Sequence, residues 1–317
     1  HDCPFHTNKN ADICKNLFEA FRRKGLGISA YFSKADWHIP SYWAPDKARA
    51  NFTWRGPSYN PVEEPELWEE FVQFTQNQVK ELCTEYGKID MLWFDAGWVC
   101  AQAAVKQDIR LGEMIEEIRK YQPWVLSADR TIGGEYENII TPEQCIPEEP
   151  LNVPWESCIT MGTSFSFKYE DDYKTSRQII NILIDIVAKG GNLALNVGPQ
   201  PDGRIPAGAI KAMKGIGEWL KTYGEAVYST RVCAPYKKEN IAFTKNGDYV
   251  YAIVLYPDEN QPVEKTILIP YTQSVKAVTI MGTDMAIPFE VKNNGIQVVL
   301  PDELLGETPI AHIFKII

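Results

Sequence analysis

One aspartate stands where a barrel enzyme would need it. The apolar run Ile89-Asp90-Met91-Leu92-Trp93-Phe94 ends at Asp95 and is followed by Ala96-Gly97-Trp98. Turn signals, Tyr86-Gly87 and Ala96-Gly97, bracket the run, so it reads as a buried parallel strand with a carboxylate at its C-terminal end. Chemistry in a (β/α) barrel is done at those ends, which makes Asp95 a candidate catalytic residue. The alternative is an aspartate that caps the next helix or is tied to a neighbouring amide. Other polar and aromatic residues fall at strand ends or just beyond them: Tyr31, Trp37, His38, Trp98, Arg130, Glu143, Trp155, Glu156 and Asn196. Carboxylates mixed with aromatic rings suit a sugar, whose C–H faces stack on indoles and whose hydroxyls need polar partners in pairs. Splitting a glycosidic bond takes two carboxyl groups, one ionised in a polar setting and one kept protonated.

The elements that would carry these residues alternate. Up to about residue 225, apolar strands follow amphipathic helices, a pattern of parallel βαβ units. A helix with Ile13, Leu17 and Phe21 precedes a strand over 27–33. A long loop, Trp37 to Pro65, leads to a helix with Leu67, Phe71, Phe74 and Leu82 on one face. Loops of that length in compact domains are usually functional. The Asp95 strand is followed by a helix near 106–120 with Ile109, Met114, Ile115 and Ile118, then by a strand over 124–130 and a second long loop to about Leu151. Pro154-Trp155-Glu156-Ser157-Cys158 reads as another strand end, before an apolar helix over 173–188 and a last strand over 191–199. Pro206 opens a helix with Ile210, Met213, Ile216 and Leu220. From about Thr230 the pattern is all-β, with hairpins expected at Asn246-Gly247 and Asn294-Gly295. The fold class is therefore α/β, a (β/α) TIM-like barrel over 1–230 followed by a small β-sandwich over 231–317.

Composition narrows the partners. Thirty-two Lys+Arg against 42 Asp+Glu leave a net charge of −10, which disfavours nucleic acid and anionic membrane surfaces. The apolar stretch Ile179 to Val187 is broken by Asn181 and Asp185 and is too short to span a bilayer, so a soluble protein is expected. Seven scattered cysteines with no CxxC read as buried free thiols. His1, His6, His38 and His312 have no metal-ligand spacing, so neither a metal nor a cofactor is expected.

Three stretches carry a specific resemblance: Gly25 to Trp37 (GLGISAYFSKADW), Tyr86 to Asp95 (YGKIDMLWFD) and Gly190 to Gly203 (GGNLALNVGPQPDG). Between residues 10 and 230 the chain resembles the α-L-fucosidases of glycoside hydrolase family 29. The resemblance implies a retaining exo-glycosidase with a (β/α) barrel and a C-terminal β-sandwich, acting on fucosylated glycans. It implies that Asp95 is the nucleophile that forms a covalent fucosyl-enzyme. It places Tyr31, Trp98 and Arg130 at the sugar, and Trp37, His38 and Phe165 are counted with them as substrate contacts. For the acid/base, Glu143 in Thr141-Pro142-Glu143-Gln144 matches the family's Thr-Pro-Glu, and Glu156 in Trp155-Glu156-Ser157-Cys158 matches a second family motif. Glu143 is favoured, because a long loop can bring its carboxyl over the leaving group and partly desolvate it. Glu156 would otherwise be a strand-end carboxylate orienting Arg130 or a neighbouring loop.

In one respect the chain departs from the family. Members carry opening barrel strands and a His-His-Asp-Gly-Phe stretch that nothing here matches, and about five strands are countable. The expectation is a barrel incomplete at its N-terminus. Two other readings follow: an inactive sugar-binding remnant, and a related retaining glycosidase for another α-linked sugar. The family's action on glycans points to a periplasmic or extracellular setting.

Overall fold

A computed structural model describes residues 12–47, 55–130, 133–283 and 285–317, so His1, Cys3, His6 and the first residues of the loop expected from 131 lie outside the described residues. The chain divides into two compact units, His1–Thr141 and Pro142–Ile317. That division precedes the boundary expected at 230, while the secondary structure changes type after Ala226, beyond which strands dominate.

The first unit holds α1 (Ile13–Arg23), β1 (Ser29–Ser33), α2 (Pro65–Glu85), β2 (Met91–Asp95), α3 (Leu111–Tyr121) and β3 (Leu126–Ala128). The strands form a parallel sheet with β2 in the middle, Ser33 opposite Asp95 and Trp93 opposite both Tyr31 and Ala128. Pro65 opens α2, where its missing N–H costs nothing. The buried stripe of α2 is Trp68, Phe71, Val72, Thr75, Val79 and Cys83. It is rotated from the expected face, and Leu67, Phe74 and Leu82 lie only half-buried beside it. Trp68 fixes the rotation by donating its indole N–H to the Asp108 carbonyl at 2.9 Å. α3 starts later than expected because Arg110 takes a left-handed backbone (φ +55°) just before it. Buried Gln122 then ties the end of α2 to β2, donating to the Cys83 and Gly87 carbonyls and accepting from the Ile89 N–H. The apolar stripe of α1 stays exposed at Ile13, Leu17 and Phe21. The loop after Trp37 packs inward instead, with Tyr42 fully buried 4.8 Å from the Phe71 ring.

The second unit begins with β4 (Glu156–Thr160), α4 (Ser176–Ala188), β5 (Asn192–Asn196) and α5 (Ala207–Tyr223). β4 and β5 are parallel, with Glu156 opposite Asn192 and Thr160 opposite Asn196. Glu156 therefore opens its strand, where the sequence suggested a strand end. Neither this pair nor the sheet of the first unit closes on itself, so the described residues show parallel sheets of three and two strands and no closed barrel. The expected face of α5 also shifts: Ala209, Ala212 and Trp219 are buried, while Ile210 and Met213 are exposed.

Two antiparallel sheets complete this unit. The strands are β6 (Lys237–Lys238), β7 (Ile241–Asn246), β8 (Tyr249–Leu255), β9 (Thr266–Ile269), β10 (Val278–Ile280), β11 (Met285–Ala286), β12 (Phe289–Lys292), β13 (Gly295–Val299) and β14 (Ala311–Ile316). Six form one sheet in the order β11-β10-β14-β8-β7-β6, and three form the other in the order β12-β13-β9. Strand alternation sorts β8 cleanly. Val250, Ala252 and Val254 join the core shared with Ile269, Ile296 and Val298 of the smaller sheet, while Tyr251, Ile253 and Leu255 pack with Ile180, Ile184, Ala188 and Trp219 of α4 and α5. The first hairpin turns at Gly247 (φ +58°) as expected. In the second, Lys292 pairs with Gly295, so the turn residues are Asn293 and Asn294. Gly295 is needed in the strand itself, because a Cβ there would meet the Ile269 carbonyl oxygen at 2.1 Å.

Of the six described cysteines only Cys83 is buried, and Cys14 and Cys145 are exposed, against the expectation of burial. Among the described residues no helix is long and apolar enough to cross a membrane, and no group of His, Cys, Asp and Glu could hold a metal ion.

Candidate active site

Strand periodicity assembles the site. Trp93 and Asp95 lie two apart on β2 and so share one face; Tyr31 is opposite Trp93 on β1, and Arg130 lies two residues beyond Ala128 on the other side. Asp95 is held from both flanks. The Tyr31 hydroxyl donates to its Oδ2 at 2.5 Å, and the Arg130 Nε–H donates to its Oδ1 at 2.9 Å. Trp93 is the floor, with Tyr31 stacked on it at 5.6 Å and the Arg130 guanidinium 5.2 Å from its ring centroid. The chain leaves β2 through Ala96 in a left-handed turn (φ +66°), and the next helix starts only at Leu111, so Asp95 caps no helix.

Three donors decide its charge. Burial pushes the Asp95 carboxyl up, but the Tyr31 hydroxyl, the Ala96 amide and the Arg130 guanidinium together hold it below the ordinary aspartate value. The carboxylate is thus ionised through the neutral range and reverts to the acid only as pH falls through that lowered value. Tyr31→Phe keeps the ring on Trp93 and removes one donor to a charged acceptor. Such a bond is worth about 1.5–3 kcal/mol, and about 1.36 kcal/mol is one pKa unit, so the Asp95 titration should move up by about one to two units. Carboxyl 13C NMR of the two proteins measures it; an unchanged midpoint would show that the hydroxyl does not stabilise the anion.

Trp37 and Trp98 meet beside each other, ring centroids 6.3 Å apart, with the Arg55 guanidinium 5.2 Å from the Trp98 ring. His38 is exposed in the same loop, its backbone N–H donating to Asp36. Of the residues singled out from sequence, the first unit therefore brings Tyr31, Asp95 and Arg130 into one hydrogen-bonded cluster and Trp37 together with Trp98. Sequence reasoning missed a buried ion pair in this unit. Lys34 Nζ lies 2.5 Å from Asp129 Oδ1, the two side chains 1% and 9% exposed. A lone lysine and a lone aspartate, each just past an apolar strand, were the available signal.

Glu143, Glu156 and Phe165 belong to the second unit. Glu143 is exposed and runs parallel to β4, bridged to Cys158, with the backbone of Gln144 and Pro142 bonded to Cys158 on either side. Gln144 takes a left-handed backbone (φ +53°), and its side chain reaches the Thr160 hydroxyl at 3.2 Å, so this segment heads toward the C-terminal end of β4. Glu156 is half-buried at the opposite end of that strand, four residues or about 13 Å away at strand rise. Phe165, with Gln144, Thr160, Lys174 and Gln178, lines a cavity of about 820 Å³. Trp155 is core and not site: it is fully buried, and a Cβ on Gly191 would strike its ring. Asn196 ends β5 with a buried Oδ1 that has no hydrogen-bond partner among the described residues.

The sequence pattern of the family described as alpha-L-fucosidase matches residues 4–225. The chain belongs to the α-L-fucosidase family. Tissue alpha-L-fucosidase of Homo sapiens is 27% identical over 287 residues, 86% of this chain and 56% of that protein. Alpha-L-fucosidase of Dictyostelium discoideum is 24% identical over 318 residues, 93% of this chain and 64% of the relative. The chain thus spans less than two thirds of the length of these curated relatives. Among solved structures, alpha-L-fucosidase isoenzyme 1 from Paenibacillus thiaminolyticus superposes with a TM-score of 0.79 at 26% identity, covering 96% of this chain and 75% of that one. The Thermotoga maritima alpha-fucosidase gives a TM-score of 0.75 at 26% identity, covering 96% and 68%. The family match ends at residue 225, where helices give way to the sandwich strands.

Proposed function

We propose that this member of the α-L-fucosidase family is a retaining exo-α-L-fucosidase that removes terminal α-L-fucosyl residues from glycans. The observation that carries the reading is Asp95, at the C-terminal end of a parallel strand and kept anionic by Tyr31 and Arg130. In the first step an Asp95 oxygen attacks the anomeric carbon while a protonated Glu143 gives its proton to the departing glycosidic oxygen. In the second, Glu143 takes a proton from water, the water oxygen attacks the anomeric carbon, and the Asp95–sugar bond breaks to release α-fucose. Arg130 spreads positive charge beside the nucleophile, and Trp37 and Trp98 offer faces for the sugar's C–H side. The position of Glu156 at the start of β4 supports Glu143 as the acid/base, because barrel chemistry gathers at the other ends of the strands. On the same reading β1 to β5 are strands of a (β/α) barrel, and the protein acts in a periplasm or extracellular space, where fucosylated glycans are met.

Hydrolysis of an aryl α-L-fucoside followed by proton NMR tests it. Release of α-fucose as the first-formed anomer is expected. First-formed β-fucose would remove the double displacement, equal turnover of an aryl α-galactoside would remove the fucose assignment, and tight fucose binding with no turnover would make the protein a sugar-binding relative.

A further inference from the structure

We propose that Lys34 and Asp129 are a positioning pair that sets the approach of Arg130 to Asp95. The inference rests on Asp95 being the nucleophile. Sheet order puts β2 between β1 and β3, and Lys34 is the residue after β1 while Asp129 is the residue after β3. Their 2.5 Å link therefore passes over the end of the very strand that delivers Asp95. Lys34 also donates its backbone N–H to the Asp95 carbonyl at 3.2 Å, which fixes the strand end that the ion pair spans.

Arg130 needs such a support. It follows Asp129 directly and has a left-handed backbone (φ +59°), which a residue with a side chain keeps only where its surroundings over-determine it. Its side chain is anchored at two points, Nε on Asp95 and Nη1 on the Thr141 carbonyl at 3.0 Å. Asp129 supplies the third constraint at the backbone. The titratable groups around the pair are Tyr31 before Lys34 on β1, Asp95 on β2 and Arg130 after β3, with Glu137 acting on Asp129. Burial pushes the Asp129 carboxyl up, and the neighbouring Lys34 Nζ offsets only part of that, so the carboxyl stays above the ordinary aspartate value and depends on its partner.

The test separates positioning from simple stability. Removing one partner strands a buried charge, whereas replacing both by apolar side chains of similar size is commonly neutral for folding. Lys34→Met/Asp129→Leu is therefore compared with the unaltered chain by thermal unfolding, aryl fucoside kinetics and carboxyl 13C titration of Asp95. The double variant should fold, lose about 10- to 100-fold in kcat with KM changed by less than about threefold, and show its acid limb and Asp95 midpoint raised by about one unit, as loss of a nearby guanidinium requires. A folded double variant with unaltered kcat and an unmoved midpoint would overturn the proposal. If the double variant does not fold, the isosteric Asp129→Asn is read by the same two measurements and the same two outcomes. Should the unaltered chain hydrolyse no fucoside, the functional reading fails while the Asp95 midpoint still decides the role of the pair.

Discussion

Asp95→Ala is expected to leave the fold intact and to lower turnover of an aryl α-L-fucoside by at least about 10⁴-fold, the scale of loss when a covalent nucleophile is removed. The side chain is part-exposed and sits on the surface of β2, while the buried residues beneath it, Leu92 and Phe94, hold the strand, so truncation leaves no cavity in the core. What disappears, on the proposed mechanism, is the atom that bonds to the anomeric carbon. Azide is small enough to enter the vacated space and can attack from the same face as the lost carboxylate. Added azide should restore turnover and give β-fucosyl azide, identified by its anomeric proton. An Asp95→Ala protein that hydrolyses the fucoside at close to the native rate without azide would end the assignment.

Glu143→Ala should separate substrates by their leaving groups. A general acid contributes about 10²–10⁴-fold, and only where the departing oxygen needs a proton. A 4-nitrophenolate leaves unaided, so its release should fall little in the first step, while a fucosylated sugar should lose on the order of 10³-fold. Glu156→Ala should show no such dependence, because Glu156 opens β4 and Thr160 closes it. The reverse pattern, with leaving-group dependence in Glu156→Ala and none in Glu143→Ala, would exchange the two roles.

The existence and order of the elements were legible because hydrophobic period and turn residues are local properties. The Asp95 strand, its turn signals and the Asn246-Gly247 hairpin are all written in a few adjacent residues. Faces were harder to read. On α2 the choice between Leu67-Phe74-Leu82 and Trp68-Val72-Val79 is decided by an indole bond to Asp108, a residue 40 positions away. On α5 Ala209 and Ala212, not the larger Ile210 and Met213, face inward, where the Ser176 hydroxyl of α4 donates to the Ala212 carbonyl at 3.1 Å. The placement of Glu156 was misread for a related reason: Trp155 supplies the buried aromatic that looks like a strand's last core residue, but it packs against Gly191 before the strand begins. Tyr31 and Arg130 could be named as site residues through the family resemblance, but the buried Lys34–Asp129 link could not, since nothing local joins two residues 95 positions apart.

The central strands β7, β8 and β14 of the six-stranded sheet are covered on both faces, and this ties the fate of two chemically different regions together. One side meets the smaller sheet, the other meets Ile180, Ile184, Ala188 and Trp219, and the Arg177 guanidinium donates to the carbonyls of Tyr256, Thr308 and Pro309 at 2.7–3.0 Å. A strand register lost in β8 or β14 would strip the cover from α4, the helix that leads into β5 and Asn196. Opening of α4 and of the central sandwich strands is therefore coupled, and their buried amide hydrogens should exchange through the same rare event. The all-β tail should therefore set the rate at which α4 and β5 open.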